Sequence, residues 1–286
     1  MMLQGYSTGG YIDFGEGYRH VPVTAFTVSM DRNMMVSHAA VQYGMDVNRI
    51  RRTQGAFVHD LPSIGLAVDY ETTERVFNEA LDVIASNRNR LLKAKIEDDT
   101  NNMNWVFSEC YLQSFSFGAR ENQLVTPSVD FKVVPRTFGY DWETKDVSKL
   151  GLGTTHPLDR PIPYWNIRLR EKDDVTEFDF KFDQAVTPKF TCKGTTSSEP
   201  PIPDYYVFGL PSLSFSMTQV MYEGDGTGDI STGTRVKDID GSSKVTVQVG
   251  GNSVLTINGL AVRSVSPSLD GVQLIKTEYE VLGICK

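Results

Sequence analysis

Cysteine is scarce in this chain of 286 residues: Cys110, Cys192 and Cys285 are the three. Their number is odd and none sits in a CxxC, so the spacing specifies neither a disulfide framework nor a thiolate metal site. They read as reduced thiols of a protein made in a cytosol. Histidine is also sparse. His20, His38, His59 and His156 show no HxH or HExxH spacing, which leaves a zinc centre without clustered ligands. No serine lies in a GxSxG elbow, and no Walker loop offers a cradle for phosphates. No apolar run is long enough to cross a bilayer. Met1 to Gly17 has neither a basic start nor an apolar stretch, so it is expected to be no secretory signal. Positive charge is in deficit, with 28 Lys and Arg against 36 Asp and Glu and a net charge of −8. That balance argues against tight nucleic-acid binding, which needs clustered cations on phosphates.

What chemistry-bearing residues remain do not converge. The loop Glu223-Gly-Asp225-Gly-Thr227-Gly-Asp229 alternates oxygen ligands, yet the twelfth position counted from Asp225 is Val236, where a calcium loop needs Glu. It reads as a hairpin tip, and its glycines lead into no helix, so they make no dinucleotide fingerprint. The acid pairs Asp98-Asp99 and Asp173-Asp174 read as solvated turns. No catalytic residue, metal or cofactor is assigned, and the chain is expected not to be an enzyme. Tyr140, Trp142, Tyr164, Trp165, Tyr205 and Tyr206 could stack on sugars, but such aromatics more often pack a linker onto a domain.

Apolar residues make up 40% of the chain and charged ones 22%, as in folded proteins. Alternation at Val21, Val23 and Val28 predicts a strand. Residues from Met34 through the polar tip Asn48–Gly55 to Ala56-Phe-Val58 predict a long projecting hairpin. One helix is predicted over 69–85, capped by Asp69, with Val76, Phe77, Ala80, Leu81 and Ile84 on one apolar face. Strands follow at Leu91–Ile96, Trp105–Phe107, Tyr111–Phe117 and Leu124–Val134. A Gly- and Pro-bearing linker is read at 137–163. Beyond it the chain is nearly all strand, beginning with the clean alternation Phe178-Asp-Phe-Lys-Phe182. The expected organisation is an extended arm at 1–19, a β-domain with its helix at 20–136, the linker, and a second β-domain at 164–286. No second helix is predicted, so the halves read as incomplete copies.

They read as copies at all because of two hairpins. Leu112-Gln-Ser-Phe-Ser116, Gln123-Leu-Val125 and Ser128–Phe131 align with Val262-Arg-Ser-Val-Ser266, Gln273-Leu-Ile275 and Glu278–Val281. One offset, 262 − 112 = 150, carries the whole stretch without a gap. Ser114, Ser116, Gln123 and Leu124 meet identical residues, and Leu112, Val262, Ser264, Ser266 and Leu274 belong to the same closing strands. A duplicated β-domain points to architecture rather than chemistry.

The order of strands from Val21, a projecting hairpin around Arg49–Gly55, a packed helix and closing strands through Val134 resembles the tube fold. That fold occurs in contractile and long-tailed bacteriophage tails and in type VI secretion tubes. The resemblance implies a mainly β, tail-tube-like sandwich or barrel with one packed helix. The second β-domain would be a further tube-like copy or an immunoglobulin-like sandwich. It implies a virion protein, made in the host cytoplasm, whose copies form hexameric or pseudo-hexameric rings stacked as a tail tube. Sheath and baseplate proteins would surround the tube, and DNA would pass through the lumen during ejection without sequence-specific binding. The alternatives are a hub or adaptor ring and a carbohydrate-binding adhesive sandwich. Arg49, Arg51 and Arg52, with Gln54 beside them, form the one concentrated positive patch; a DNA contact and a solvated loop are alternative readings, and a contact with an acidic neighbouring copy is the favoured one. Changing the three arginines to Glu is expected to leave the monomer's melting within about 0.5 kcal/mol, the usual range of surface changes. It should lower the assembled fraction in sedimentation, and high salt should partly mimic that loss in the native chain.

Overall fold

The computed structural model describes residues 8–31, 34–37, 56–59, 63–86, 89–98, 103–134, 161–170, 175–189, 203–220, 243–270 and 272–285. The fold is mainly β. In the first half the strands are β1 (Thr8–Asp13), β2 (Arg19–Asp31), β3 (Met34–Ser37), β4 (Ala56–His59), β5 (Ser63–Tyr70), β6 (Leu92–Asp98), β7 (Met103–Arg120) and β8 (Ser128–Val133). In the second half they are β9 (Ile167–Arg170), β10 (Val175–Asp183), β11 (Val186–Lys189), β12 (Tyr205–Phe208), β13 (Ser212–Val220), β14 (Ser243–Val249), β15 (Asn252–Asp270) and β16 (Val272–Cys285). One helix, α1 (Glu74–Ala85), lies between β5 and β6. Among the described residues no helix is long and apolar enough to cross a membrane.

The first half closes on itself. Its strands run β6-β1-β2-β5-β8-β7, and β7 pairs back onto β6, so six antiparallel strands make a barrel without an open seam. The β1 strand is where the sequence misled. Residues 1–19 read as an extended arm, yet Thr8–Asp13 pairs with β2 on one side and β6 on the other. Glycine hid it: a Cβ at Gly10 would run into the Val23 side chain and lie 3.2 Å from the Val21 carbonyl oxygen. The residues that make this strand look like a flexible arm are the ones that let it pack closely.

Helix α1 starts later than its sequence suggests. Asp69 is not its cap but a residue of β5, opposite Ala25 on one side and Ser128 on the other. Leu66, Val68 and Tyr70 are all buried, so the two-residue alternation keeps the chain extended through Tyr70. Thr73 caps instead, its hydroxyl accepting from the Val76 N–H at 3.4 Å. The apolar face is as the spacing requires: Val76, Phe77, Ala80, Leu81 and Ile84 are all buried. Arg19 from β2 donates to Glu79 Oε1 at 3.0 Å, tying α1 to the barrel wall, and Arg75 of the helix forms an ion pair with the same oxygen at 3.4 Å.

The second half repeats the first strand for strand. In place of β1, β2, β5, β6, β7 and β8 stand β9, β10, β13, β14, β15 and β16. Five of the six barrel pairings recur in the same antiparallel sense. Even the small hairpin β3–β4, inserted between β2 and β5, has its counterpart β11–β12 between β10 and β13. The halves therefore share more of their strand order than the missing second helix predicts; residues 221–242, between β13 and β14, lie outside the described residues. The sixth pairing is the difference: among the described residues β9 does not pair with β10.

The halves share one hydrophobic core. It runs from Phe77 and Leu81 of α1, through Phe115, Phe117 and Phe180, to Val247 and Ile257 in the second half. The end of the presumed linker joins in: Ile162 is buried, and Pro161 and Pro163 bridge to Thr73 and Leu124.

Cys110 sits where β7 pairs with both β6 and β8, opposite Leu92 and Val133. It is wholly buried, and burial pushes its thiol far above the ordinary range. Because the thiolate is the reactive form, Cys110 in a variant with Cys192 and Cys285 changed to Ser is expected to resist a disulfide reagent at neutral pH. It should react only at the rate at which the barrel opens, measured by following labelling against urea.

Candidate assembly interface

The functional question turns on how β7 is shared. Over Met103–Cys110 one of its edges pairs with β6 and completes the barrel. Over Ser114–Arg120 that same edge pairs with β10, while β8 holds the opposite edge over Cys110–Ser116. The change of partner coincides with a bulge between Leu112 and Ser114. A bulge adds twist and bends the strand away from its former neighbour. The chain uses that bend to carry β7 out of the barrel and into the second half.

The joint between the halves is thus strand pairing over seven positions, Glu177↔Arg120 to Asp183↔Ser114. Its two faces differ as alternation demands. On the inner face Phe178, Phe180 and Phe182 stand opposite Ala119, Phe117 and Phe115, all buried. The ring of Phe117 is the hub. It meets Phe77 of α1 edge-on at 4.7 Å, Phe178 edge-on at 5.9 Å and Phe180 at 5.2 Å. On the outer face Arg120 lies 3.5 Å from Asp179 and 4.0 Å from Glu177. Glycine at 118 permits this arrangement, because a Cβ there would stand 2.5 Å from Asp179 Oδ1.

Bulges mark equivalent places in the two halves. One falls between Val23 and Ala25 in β2 and between Val175 and Glu177 in β10. Another falls between Leu92 and Ala94 in β6 and between Ser243 and Lys244 in β14. A third falls between Leu112 and Ser114 in β7 and between Val262 and Ser264 in β15. Bulges are placed features of a fold, so three matched ones carry the equivalence further than strand order does.

The closing hairpins align with one change. Ser114 and Ser264 each follow the bulge and donate to a carboxylate across the hairpin: Ser114 to Asp130, Ser264 to Glu278 at 2.9 Å. Leu112 faces Phe131, and Val262 faces Tyr279. On the second strand the offset is therefore 279 − 131 = 148, not 150. The second hairpin turns two residues earlier. Ser116 and Ser266 remain equivalent, facing Ser128 and Lys276. Gln123 and Leu124 instead lie in the longer loop, where Leu124 is exposed and bridges to Pro163, whereas Gln273 and Leu274 lie within β16.

Other residues named from the sequence fall elsewhere. Arg49, Arg51, Arg52 and Gln54 lie outside the described residues, as do the loop 223–229, Tyr140 and Trp142. The hairpin that would carry the arginines is present at its base, where Met34–Ser37 pairs with Ala56–His59. The Tyr206 ring meets Tyr111 at a tilt at 5.1 Å, and Trp165 meets Tyr164 edge-on at 5.5 Å. Among the described residues no group of three or more His, Cys, Asp or Glu is placed to hold a metal. A small cavity lies between Val83, Arg90, Tyr111, Phe182 and Phe208, at about 20 Å³, space for roughly one water. Sequence reasoning missed the joint itself, although Phe178-Asp-Phe-Lys-Phe182 carried its alternation.

Truncating Phe77 to Ala is expected to cost about 3–5 kcal/mol through lost burial and the cavity left behind. Because its ring packs on Phe117 at the joint, the loss should appear as one thermal transition shifted as a whole, read by near- and far-ultraviolet circular dichroism together. No family model matches the chain, and no curated protein matches its sequence.

Proposed function

We propose that this chain is a structural subunit whose copies assemble through their sheet edges into rings around a lumen, in the manner of a bacteriophage tail tube. The observation that carries this reading is the joint. Two copies of one β-fold already sit side by side here, held by antiparallel pairing of β7 with β10. A unit that joins its own duplicate by an edge is suited to join further units by the same means. The closed six-stranded barrel with one packed helix and a hairpin inserted after its second strand fits the tube resemblance. The second half, repeating the strand order, favours a tube-like duplication over an immunoglobulin-like decoration.

On this reading the chain acts mechanically and not as an enzyme. Stacked rings would form a virion conduit for DNA, with sheath and baseplate proteins around it. The net charge of −8 suits a wall past which DNA slides without sticking. A hub or adaptor ring built from the same duplicated unit is the nearest variant. Purified protein followed by light scattering over a concentration series, then viewed by negative-stain microscopy, is expected to give rings or tubes of uniform diameter. A compact monomer at every concentration would overturn the reading.

A further inference from the structure

The duplication identifies two strand segments that do in only one half what their counterparts do in the joint. In the joint, β7 offers Ser114–Arg120 and β10 offers Glu177–Asp183. The counterpart of the first is Ser264–Asp270 of β15, by the offset of 150 that the matched bulges fix. The counterpart of the second is Ala25–Asp31 of β2, by 177 − 25 = 152, fixed likewise. Both counterparts have an edge left over. β15 pairs with β16 through Asp270, but β14 leaves its other edge at Leu260. β2 pairs with β5 from Val23 to Asp31, but β1 covers its other edge only from Arg19 to Pro22. Among the described residues nothing pairs with either remaining edge.

Burial gives a separate indication. Phe178, Phe180 and Phe182 of β10 are 4%, 1% and 5% exposed beneath their β7 neighbours. Their counterparts in β2 are Phe26, Val28 and Met30, and Phe26 and Val28 are only partly buried. Among the described residues no strand lies beside this part of β2 as β7 lies beside β10.

We propose that a second copy of this chain supplies it: Ser264–Asp270 of one copy pairs antiparallel with Ala25–Asp31 of the next. This deepens the assembly reading and rests on it. Carrying over the register of the joint puts Ala25 opposite Asp270, Thr27 opposite Ser268, Ser29 opposite Ser266 and Asp31 opposite Ser264. Between them Phe26 meets Leu269, Val28 meets Pro267 and Met30 meets Val265. Apolar residues fall opposite apolar ones and small or polar ones opposite polar ones, which a shift by one residue would undo. Pro267 has no N–H, so this ladder can lack one donor. That is tolerable at a strand edge and consistent with a joint made between chains rather than within one. The contact is head-to-tail, since the two edges belong to different strands; such contacts close into rings or run on as filaments.

Thiol cross-linking tests it. In a background with Cys192 and Cys285 changed to Ser, Thr27→Cys and Ser268→Cys are made as separate proteins, mixed and oxidised with diamide. Ser29→Cys with Ser266→Cys is a second in-register pair. Thr27→Cys with Ser266→Cys is a diagonal pair, too far apart for a disulfide across a regular ladder. The expected result is a band at twice the chain mass from both in-register mixtures, lost on reduction and absent from the diagonal mixture and from each variant alone. Light scattering runs in parallel. Assembly without in-register cross-links overturns this pairing and leaves the assembly reading standing. Cross-links that appear only after residues 1–7 are removed also overturn it, since the chain's own first residues would then hold the β2 edge. Absence of both assembly and cross-links overturns pairing and reading together.

Discussion

Everything in this fold depends on one strand changing partners. Over its first residues β7 closes the barrel against β6, and over its last it holds the second half through β10. A strand edge cannot serve two neighbours at one position, so the two roles need length and a bend. Eighteen residues give the length, and the bulge after Leu112 gives the bend. Without the bulge β7 would stay in the barrel wall and β10 would have no edge to join. The aromatic packing follows from the same crossing, because Phe117 lies just beyond it and touches α1 on one side and β10 on the other.

The parts of this architecture that alternate cleanly were legible in the sequence. Phe178, Phe180 and Phe182 read as one face of a strand, and Val76, Phe77, Ala80, Leu81 and Ile84 as one face of a helix, because burial on one side imposes a period. Strand limits were less legible. Trp105–Phe107 and Tyr111–Phe117 read as two strands but form one, and so do the segments either side of Gly259, whose φ of 63° interrupts β15 without ending it. The strand β1 was hidden by glycines that signal flexibility in isolation and close approach in context. The repeat was visible on β7 and β15, where the offset is constant. It slipped on the returning strands, because turn length leaves no mark on alternation.

The candidate interface was legible only in part. Local pattern says that a strand exists and which face is buried, but not which strand lies beside it. That β10 joins β7 rather than β9 is a matter of topology, fixed by where the barrel has already closed. The equivalence of the halves became plain through the bulges, which are invisible to hydrophobic periodicity and plain in the register.

The joint of β7 with β10 has a further consequence because both strands belong to one chain. Tethering confines the two edges at an effective concentration set by the intervening residues, independent of how dilute the protein is. The pairing within the chain is therefore always made once the chain has folded. Any equivalent pairing between chains would answer to mass action. In an assembly of the kind proposed, a fused pair would make every second contact a fixed one and would halve the number of encounters needed to complete a ring.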